Sequence, residues 1–416
     1  MTSTIHTSTI PYDVESVRQN FPALRGERIP LNNATGSLVY EGAVKAIASA
    51  MSTYQLDFIG GDRTSQLVVD ERKSKYIELA AFLNAEPDEI AFGPSTSGLI
   101  RNVTTSLRPL LNSDSEMIVS TLCHESGVTS WVALARSLGI EIKWWSPPGG
   151  KGNNTAKLSI ETLKPLLSPK TRLVACGHVS NIFGTIHDIR AVADLVHTIP
   201  GALLSVDGVA WAPHRPIDVK ALDVDFYFIS WYKLFGPHFG QVYARRSVQQ
   251  RHMTSLNLYH LDPTPLDVKV RLGTSCFEFE DGVLEIVRYL QRIGWDNIIT
   301  HEAVIVQPLL EYLNSHPEWF TLYGEKSSDP KLRVALVSFT VKGVSSMVIA
   351  KIIHESSPCR ILAGNAYSLR PVHDVLGLGD GGVLRVSLVH YNTVQDVQTF
   401  IDVLDHVVQA HFTDQA

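Results

Sequence analysis

Cysteine is scarce in this chain, and the few cysteines present are scattered. Its 416 residues contain four cysteines, Cys123, Cys176, Cys276 and Cys359. No two of them form a CxxC pair, so the sequence gives neither a disulfide framework nor a zinc-site pattern. We therefore expect a protein of a reducing compartment, the cytoplasm, that carries no metal site.

Basic clusters and long apolar runs are also missing. The formal net charge is −6, and no run of Lys and Arg exceeds two residues, which disfavours nucleic acid and anionic membranes as partners. The apolar runs are too short to span a bilayer. The first residues, MTSTIHTSTIPYD, lack the basic region and apolar core of a signal peptide and indicate a disordered tail.

What the sequence does contain is a regular alternation of apolar runs with helical patterns, in a chain that is 44% hydrophobic. Strands that are apolar throughout and alternate with helices of 10–15 residues are typical of a mostly parallel sheet. Ligands then bind beyond the carboxyl ends of the strands. The predicted strands lie in the segments 89–94, 116–121, 171–180, 202–208 and 224–230.

The pattern changes beyond about residue 280. Two long helical stretches, DGVLEIVRYLQRIG and HEAVIVQPLLEYLNSHP, precede a mixture of strands and helices. This predicts a smaller α+β domain that packs on the first. Within it, GLGDGG (377–382) fits G-x-G-x-x-G, but the strand VLRVSL follows instead of a helix. We therefore interpret the segment as a turn and not as a dinucleotide site.

A single lysine stands out in SWYKLFGPHFG (230–240), between two aromatic residues and ahead of a Gly/Pro turn. One interpretation of Lys233 is a surface lysine. The other is an amine at the end of a buried strand. Desolvation there would lower the pKa of the amine and allow it to form a Schiff base.

Other polar residues follow predicted strands, and each has a structural and a functional interpretation. Asp207 is either a turn residue or the partner of a heterocyclic N–H⁺. Thr96 and Ser97, between a strand and a helix, either cap that helix or bind an anion. His124 and Asn181 are either satisfied structural groups or contacts to a ligand.

Arg385 heads a strand in the predicted C-terminal domain, where it is either exposed or clamps a carboxylate. Taken together, these residues supply an amine that can form a Schiff base with an aldehyde and a carboxylate that can pair with a pyridinium. They also supply an imidazole, a phosphate site and an arginine that can bind a carboxylate. Pyridoxal 5'-phosphate and an amino-acid substrate require this combination.

The chain resembles the class V aminotransferase family of fold-type-I pyridoxal phosphate enzymes, and within it the cysteine-desulfurase-like subgroup. The resemblance extends from 21–37 to 385–393 and rests on HVSNIFGTIHDI, PHRPIDVKALDVDF, SWYKLFGPHFG, LGTSCFEFEDG and VHYNT. It implies a large cofactor-binding domain (26–285) with a mostly parallel seven-stranded sheet and a smaller α+β domain (286–416). An N-terminal arm (1–25) would pack with the small domain, and two chains would form a homodimer with shared active sites.

The resemblance also implies roles for individual residues. Lys233 matches the Schiff-base lysine, Asp207 the partner of the pyridine nitrogen, His124 the imidazole on the ring and Asn181 the amide at the phenolic oxygen. Phosphate contacts fall on Thr96, Ser97, Ser230, Tyr232 and, from the neighbouring subunit, Thr274.

Predicted substrate contacts are Arg385 for the carboxylate, Asn33 and the loop residue Asp62. Asp62 would either pair with a cationic side chain such as a guanidinium or be a solvated acid.

The sequence departs from the desulfurases at their nucleophile. Tyr367, in ILAGNAYS, stands where their cysteine would be, and Cys359 lies eight residues earlier. A tyrosine cannot accept a sulfur atom, so cysteine desulfuration is disfavoured. Tyr367 would either donate a proton or fill the space. Ala210 also replaces a glutamine common near the phenolic oxygen, and Leu362 lies where the family has an arginine.

These features predict a pyridoxal phosphate-dependent lyase of specialised metabolism. It would cleave a side-chain bond at Cβ through an external aldimine and a ketimine, in a retro-aldol step that releases alanine and an aldehyde. A class V aminotransferase and a C–S β-lyase are the alternatives. A non-catalytic interaction protein would be expected to lose Lys233 or Asp207 first, and both are present.

Overall fold

The structure is a computed structural model that describes residues 12–53, 63–257, 265–273 and 275–413. The strands in these ranges are β1 (Ile29–Pro30), β2 (Ile90–Gly93), β3 (Glu116–Ser120), β4 (Glu141–Trp145), β5 (Thr171–Gly177), β6 (Leu203–Asp207), β7 (Phe226–Ser230), β8 (Gly240–Ala244), β9 (Phe320–Tyr323), β10 (Leu336–Val341), β11 (Cys359–Arg360), β12 (Leu362–Gly364) and β13 (Val383–Ser387).

Helices connect and cover these strands. They are α1 (Val14–Arg18), α2 (Glu41–Thr53), α3 (Arg63–Ala81), α4 (Thr96–Ser106), α5 (Glu125–Leu138), α6 (Ile160–Leu163), α7 (Ile189–Val196), α8 (Val219–Leu222), α9 (Arg246–His252), α10 (Leu266–Val270), α11 (Glu278–Ile293), α12 (Trp295–Ser315), α13 (Ser346–Ser356) and α14 (Val394–Thr413). In the described part of the chain, none of them combines the length and apolarity needed to cross a membrane.

The larger sheet has seven strands in the order β2-β8-β7-β6-β5-β3-β4. The neighbours from β7 to β4 are parallel, and only β8 runs against the rest. This confirms the predicted α/β fold with a mostly parallel seven-stranded sheet. The sequence patterns did not identify β4 and β8 as strands.

Both faces of this sheet are covered, which explains why its strands are apolar throughout. Successive residues of β7 point into different cores. Phe226 and Phe228 pack with α4 and α5, whereas Tyr227 and Ile229 pack on the side of α7 and α11. Since β5, β6 and β7 are parallel neighbours, their carboxyl ends lie along one edge.

The C-terminal part has its own antiparallel sheet, in the order β12-β13-β10-β9. Side chains of α12, α13 and α14 fill a separate core against it, including Leu309, Ile349 and Phe400. The segment 377–382 is a turn that leads into β13, as predicted.

The described N-terminal residues pack against this C-terminal part. β1 pairs with β11 in parallel, and Nη1 of Arg18 lies 3.1 Å from a carboxylate oxygen of Asp396. Of these two contacts only that of Arg18 falls within the predicted arm (1–25), and the arm stays a prediction. The boundaries at 25/26 and 285/286 stay predictions, and α11 runs through position 285.

Candidate active site

A cavity of about 130 Å³ opens beyond the carboxyl ends of β5, β6 and β7. The predicted cofactor residues converge on it although they are far apart in sequence. Its walls include Thr96, Ser97, His124, Asn181, Asp207, Ser230, Tyr232 and Lys233. The predicted residues therefore lie together at the carboxyl ends of parallel strands, the edge at which such sheets bind ligands.

Lys233 enters the cavity from a short 3₁₀ turn, Trp231–Lys233, that follows β7. The turn is rigid because its neighbours are buried and tightly packed. Phe235 is fully buried with a φ of +63°, and a Cβ atom at Gly236 would come within 2.6 Å of Ile286. Lys233 itself is 9% exposed, and Nζ has no hydrogen-bond or ion-pair partner in the described part of the chain.

The environment of Lys233 favours the neutral amine. Burial, and secondarily repulsion by the Arg385 guanidinium, lower the pKa of Lys233 to about 8, while the Asp207 carboxylate opposes this shift. An amine with such a pKa is unprotonated in a substantial fraction of molecules near neutral pH and is a good nucleophile.

Asp207 ends β6 and faces the same cavity. One carboxylate oxygen, Oδ1, accepts a 2.9 Å hydrogen bond from the amide of Val209. The other, Oδ2, has no donor among the described residues, and a Cβ at Gly127 would lie only 2.9 Å from it. Burial raises the pKa of Asp207, so a cationic ring nitrogen beside Oδ2 would stabilise the ionised form.

His124 caps the N-terminus of α5. The amide of Ser126 donates to Nδ1 at 3.1 Å, so Nδ1 is an acceptor and the proton of the neutral ring is on Nε2. Burial, followed by repulsion from Lys233 and Arg385, lowers the pKa of His124 to about 4. The imidazole is therefore neutral at pH 7 and offers a flat apolar face to the cavity.

The polar residues predicted to hold a phosphate lie at the start of α4, where the Thr96 hydroxyl donates to the carbonyl of Ile229 at 2.7 Å. Ser95 caps this helix by accepting a bond from the amide of Gly98, and Oγ1 of Thr96 lies 2.6 Å from Oγ of Ser230. A Cβ at Gly240 would come within 2.6 Å of the Thr96 amide nitrogen, so glycine is required there. Hydroxyl groups at a helix N-terminus suit a phosphate.

Arg385, in β13, is a buried cation that has no carboxylate partner among the residues the structure describes. Its Nη1 donates to the carbonyl of Asn181 at 3.0 Å and its Nη2 to Oγ1 of Thr35 at 2.9 Å. Nε has no partner among the described groups, and burial lowers the pKa of Arg385 to about 10. A buried guanidinium without a carboxylate suits an acidic ligand group.

Tyr367 lies at the mouth of the cavity, with its ring centroid 6.0 Å from that of His124. It is 78% exposed. Asp62 and Thr274 lie outside the described residues, and their roles stay predictions.

The structure does not support the expected substrate contact of Asn33. This residue is buried, and its amide nitrogen donates to the carbonyl of Ser387 at 2.8 Å and to Oδ1 of Asn392 at 3.1 Å. Its Oδ1 accepts a bond from the hydroxyl of Tyr391. Asn33 therefore links the N-terminal segment to the C-terminal part.

Sequence reasoning also missed several contributors. Ser368 donates to Oδ1 of Asn181 at 2.9 Å, and Arg370 pairs with Glu125, the neighbour of His124, at 2.5 Å. Ser368 lies in a loop and Arg370 at the start of the short helix that follows it, and no periodicity in the sequence marks either residue. Gly127 had a usable signal, because a glycine inside a helical pattern often indicates close approach of another group.

Comparison with known proteins agrees with this geometry. The family model for class-V aminotransferases matches residues 62–400. The chain belongs to this family. Pyridoxal 5'-phosphate is therefore its cofactor, and the cavity fits the group, since the Lys233 amine and Oδ2 of Asp207 both line it and lack partners in the described part of the chain.

Two curated class V relatives are fungal. A nonribosomal peptide synthetase-like enzyme of Aspergillus fumigatus, fsqF, is 52% identical over 94% of this chain, which spans only 26% of that enzyme. A cysteine desulfurase-like protein of Aspergillus flavus, ustD, is 49% identical over 95% of this chain and 91% of its own length.

The fold matches solved structures of the same group. The apo cysteine desulfurase of Thermococcus onnurineus superposes with a TM-score of 0.86, over 98% of this chain and 100% of that one, at 24% sequence identity. At this identity the match shows the fold and nothing finer.

Proposed function

We propose that this protein is a pyridoxal phosphate-dependent lyase that cleaves a side-chain bond at Cβ of an amino acid. The preferred reaction is a retro-aldol cleavage of a γ-hydroxy amino acid. The Cβ–Cγ bond breaks, the hydroxyl carbon becomes an aldehyde, and Cβ gains the proton that the hydroxyl group loses. The products are alanine and the aldehyde, and no oxidant is needed.

The observation that carries this proposal is the composition of the loop over the cavity. Residues 365–370, NAYSLR, bring Tyr367 next to His124 and contain no cysteine. Burial raises the pKa of Cys123 to about 12, and Cys359 is fully buried in β11. Cys276 is exposed, but its pKa is also raised. A reactive thiolate needs a lowered pKa, so this chain is poorly suited to desulfuration.

The residues of the cavity divide the remaining work. Bound pyridoxal phosphate supplies an electron sink for the bonds at the substrate Cα. Lys233 carries the cofactor and then moves protons, since its pKa of about 8 lets it act both as base and as acid. Arg385 holds the substrate carboxylate, and the hydroxyl groups at the start of α4 hold the phosphate, so that the reacting atoms stay aligned.

Tyr367 is assigned here to space filling at the mouth. Its exposure, and the lack of a hydrogen-bond partner for its hydroxyl among the described residues, support that role over proton donation. Asp62 is proposed to meet the distal end of the substrate, where it would favour a cationic side chain such as a guanidinium.

A product assay tests the reaction. Holoenzyme is incubated with a panel of γ-hydroxy amino acids, and alanine and aldehyde are quantified by mass spectrometry. Equal amounts of both, absent with Lys233→Ala, are expected. Stoichiometric keto acid with pyridoxamine phosphate would indicate an aminotransferase instead. Sulfide released from cysteine, or a thiol released from a related thioether, would indicate C–S cleavage.

We also propose that two chains form the active unit. Apolar side chains are exposed on α2, on α3 and next to position 274, namely Met51, Leu67, Ile77 and Leu272. Covering such a surface would stabilise a dimer. Light scattering should give twice the 46.0 kDa of the chain; a monomer with full activity would contradict this part of the proposal. The synthetase-like relative supports a role in specialised metabolism.

A further inference from the structure

The loop at residues 365–370 contacts Asn181, in the wall of the cofactor cavity, and Glu125, the neighbour of the wall residue His124. On one side, Ser368 donates to Oδ1 of Asn181 at 2.9 Å. On the other, the carbonyl of Tyr367 accepts from the amide of Glu125 at 2.9 Å, and Arg370 pairs with the Glu125 carboxylate. The loop therefore bridges two residues that the cofactor site depends on, Asn181 and the neighbour of His124.

Ser368 is the buried anchor of this loop. It is fully buried, whereas the residues on either side, Tyr367 and Leu369, are 78% and 51% exposed. Its hydroxyl donates a hydrogen bond to the side chain of Asn181, which lies in the cavity wall. A serine that turns inward between two exposed apolar residues indicates that the hydrogen bond, and not packing, selects the residue type.

The backbone of the loop needs such an anchor. Ala366 and Tyr367 have φ angles of +50° and +53°, a left-handed conformation that costs about 1 kcal/mol or more for each residue other than glycine. A strained pair persists only when contacts on both sides hold it. Here the contacts are Ser368 with Asn181 and Arg370 with Glu125.

We propose that Ser368 is a positioning residue that orients the side-chain amide of Asn181 towards the bound cofactor. This inference rests on the proposed use of the cavity. An amide has one acceptor and one donor end, and Ser368 occupies the acceptor. Among the described residues the donor nitrogen meets only the carbonyl of Ala366, at a long 3.4 Å, so one N–H remains for the ring oxygen that the family resemblance assigns to Asn181.

The hydroxyl group of Ser368 also strengthens that donor. A hydrogen bond received at the amide oxygen polarises the amide and makes its N–H a better donor, because consecutive hydrogen bonds reinforce each other. A donor directed at the ring oxygen disfavours positive charge on the nearby imine nitrogen. Ser368 should therefore lower the pH at which the visible absorbance of the bound cofactor titrates.

Substitution of Ser368 tests the inference on the holoenzyme, with the visible spectrum as readout. In Ser368→Ala we expect the titration midpoint to rise by about half a pH unit. We also expect pyridoxal phosphate to bind about threefold or more weakly. Ser368→Thr, which keeps the hydroxyl, should restore the wild-type midpoint. Thermal melting confirms that each variant is folded.

Two control variants separate orientation of Asn181 from general disturbance. Ser338→Ala removes another fully buried hydroxyl, which has no partner in the described part of the chain, and should leave the midpoint unchanged. Arg370→Ala removes the other contact of the strained loop and should shift the midpoint less than Ser368→Ala does, because the hydroxyl group that bonds to Asn181 is still present.

A wild-type midpoint in Ser368→Ala, or an equal shift in Arg370→Ala, would overturn the inference. Both of these outcomes are read from the visible spectrum of the bound cofactor and need no measurement of activity. If wild-type holoenzyme shows the expected spectral behaviour but releases no alanine, the proposed reaction fails and the role of Ser368 stands.

Discussion

Two regions of the active site are held in different ways. We call Asp207 and Lys233 its floor and residues 365–370 its cover. On the floor, Asp207 and Lys233 follow central strands of the seven-stranded sheet, and strand pairing and two cores fix their backbones. The cover is the 365–370 loop, which has a left-handed backbone at Ala366 and Tyr367. It is held by a small number of side-chain contacts, those of Ser368 and Arg370 among them.

Because they are held differently, the floor and the cover suit different tasks. Groups on the floor cannot move without breaking the sheet, so they suit the proposed task of holding the cofactor in a fixed position. The cover can change its residues and its path at little cost to the fold. We therefore expect substitutions on the floor to abolish activity and substitutions on the cover to tune it.

The largest effect is expected for Lys233→Ala. Loss of the amine removes both the covalent link to the cofactor and the proton carrier at the reacting atoms. Activity should fall by roughly 10³-fold or more, and borohydride should no longer fix the cofactor to the protein. Lys331→Ala, at an exposed lysine of the C-terminal part, serves as the control and should keep both properties. If borohydride still fixed the cofactor to the Lys233→Ala variant, another residue would carry the covalent link and the prediction would be wrong.

Arg385→Lys should have the next largest effect. A lysine keeps the charge but loses the planar fork that grips a carboxylate in two places. We expect KM for the amino acid to rise about 10- to 100-fold while kcat changes little, as measured by steady-state kinetics. An unchanged KM would show that the substrate carboxylate binds elsewhere.

The same contrast explains what the sequence could and could not predict. The floor residues were found because buried strands have a clear apolar signature and their ends share one edge. Ser368 and Arg370 act through long-range contacts to Asn181 and Glu125, and neither leaves a periodic pattern. Asn33 was misassigned because a polar residue in a loop gives no sign of whether it faces a cavity or bonds to distant backbone.

The pKa of Lys233 predicts how the apoprotein takes up its cofactor. Only the neutral amine reacts with an aldehyde, and the folded pKa is about 8. The rate of covalent uptake should therefore rise about tenfold per pH unit below pH 8 and level off above it. Stopped-flow absorbance measures this rate. A rate that continues to rise to pH 10 would indicate an unperturbed lysine.

The same shift affects stability. Because the pKa of Lys233 is lower in the folded than in the unfolded chain, the unfolded state binds more protons between about pH 8 and 10.5, the ordinary pKa of a lysine. This lysine therefore makes the apoprotein more stable as pH rises through that window. Thermal melting of the apoprotein and of Lys233→Met should diverge there, and parallel curves would contradict the prediction.

The smallest effect is expected for Tyr367→Phe on the cover. The phenol is exposed, and its hydroxyl has no partner among the described residues. Turnover should stay within about twofold of wild type, since most exposed substitutions have small effects. A loss of tenfold or more in kcat, together with a changed pH profile of kcat, would instead identify the phenol as a proton donor.

The most direct test of the proposed active site is to locate the covalent link between pyridoxal phosphate and the protein. Holoenzyme is reduced with borohydride and digested, and the modified peptide is sequenced by mass spectrometry. The account predicts one pyridoxyl-phosphate group per chain, on Lys233 within SWYKLFGPHFG. A group on another lysine, or an unmodified Lys233 in fully loaded protein, would contradict it.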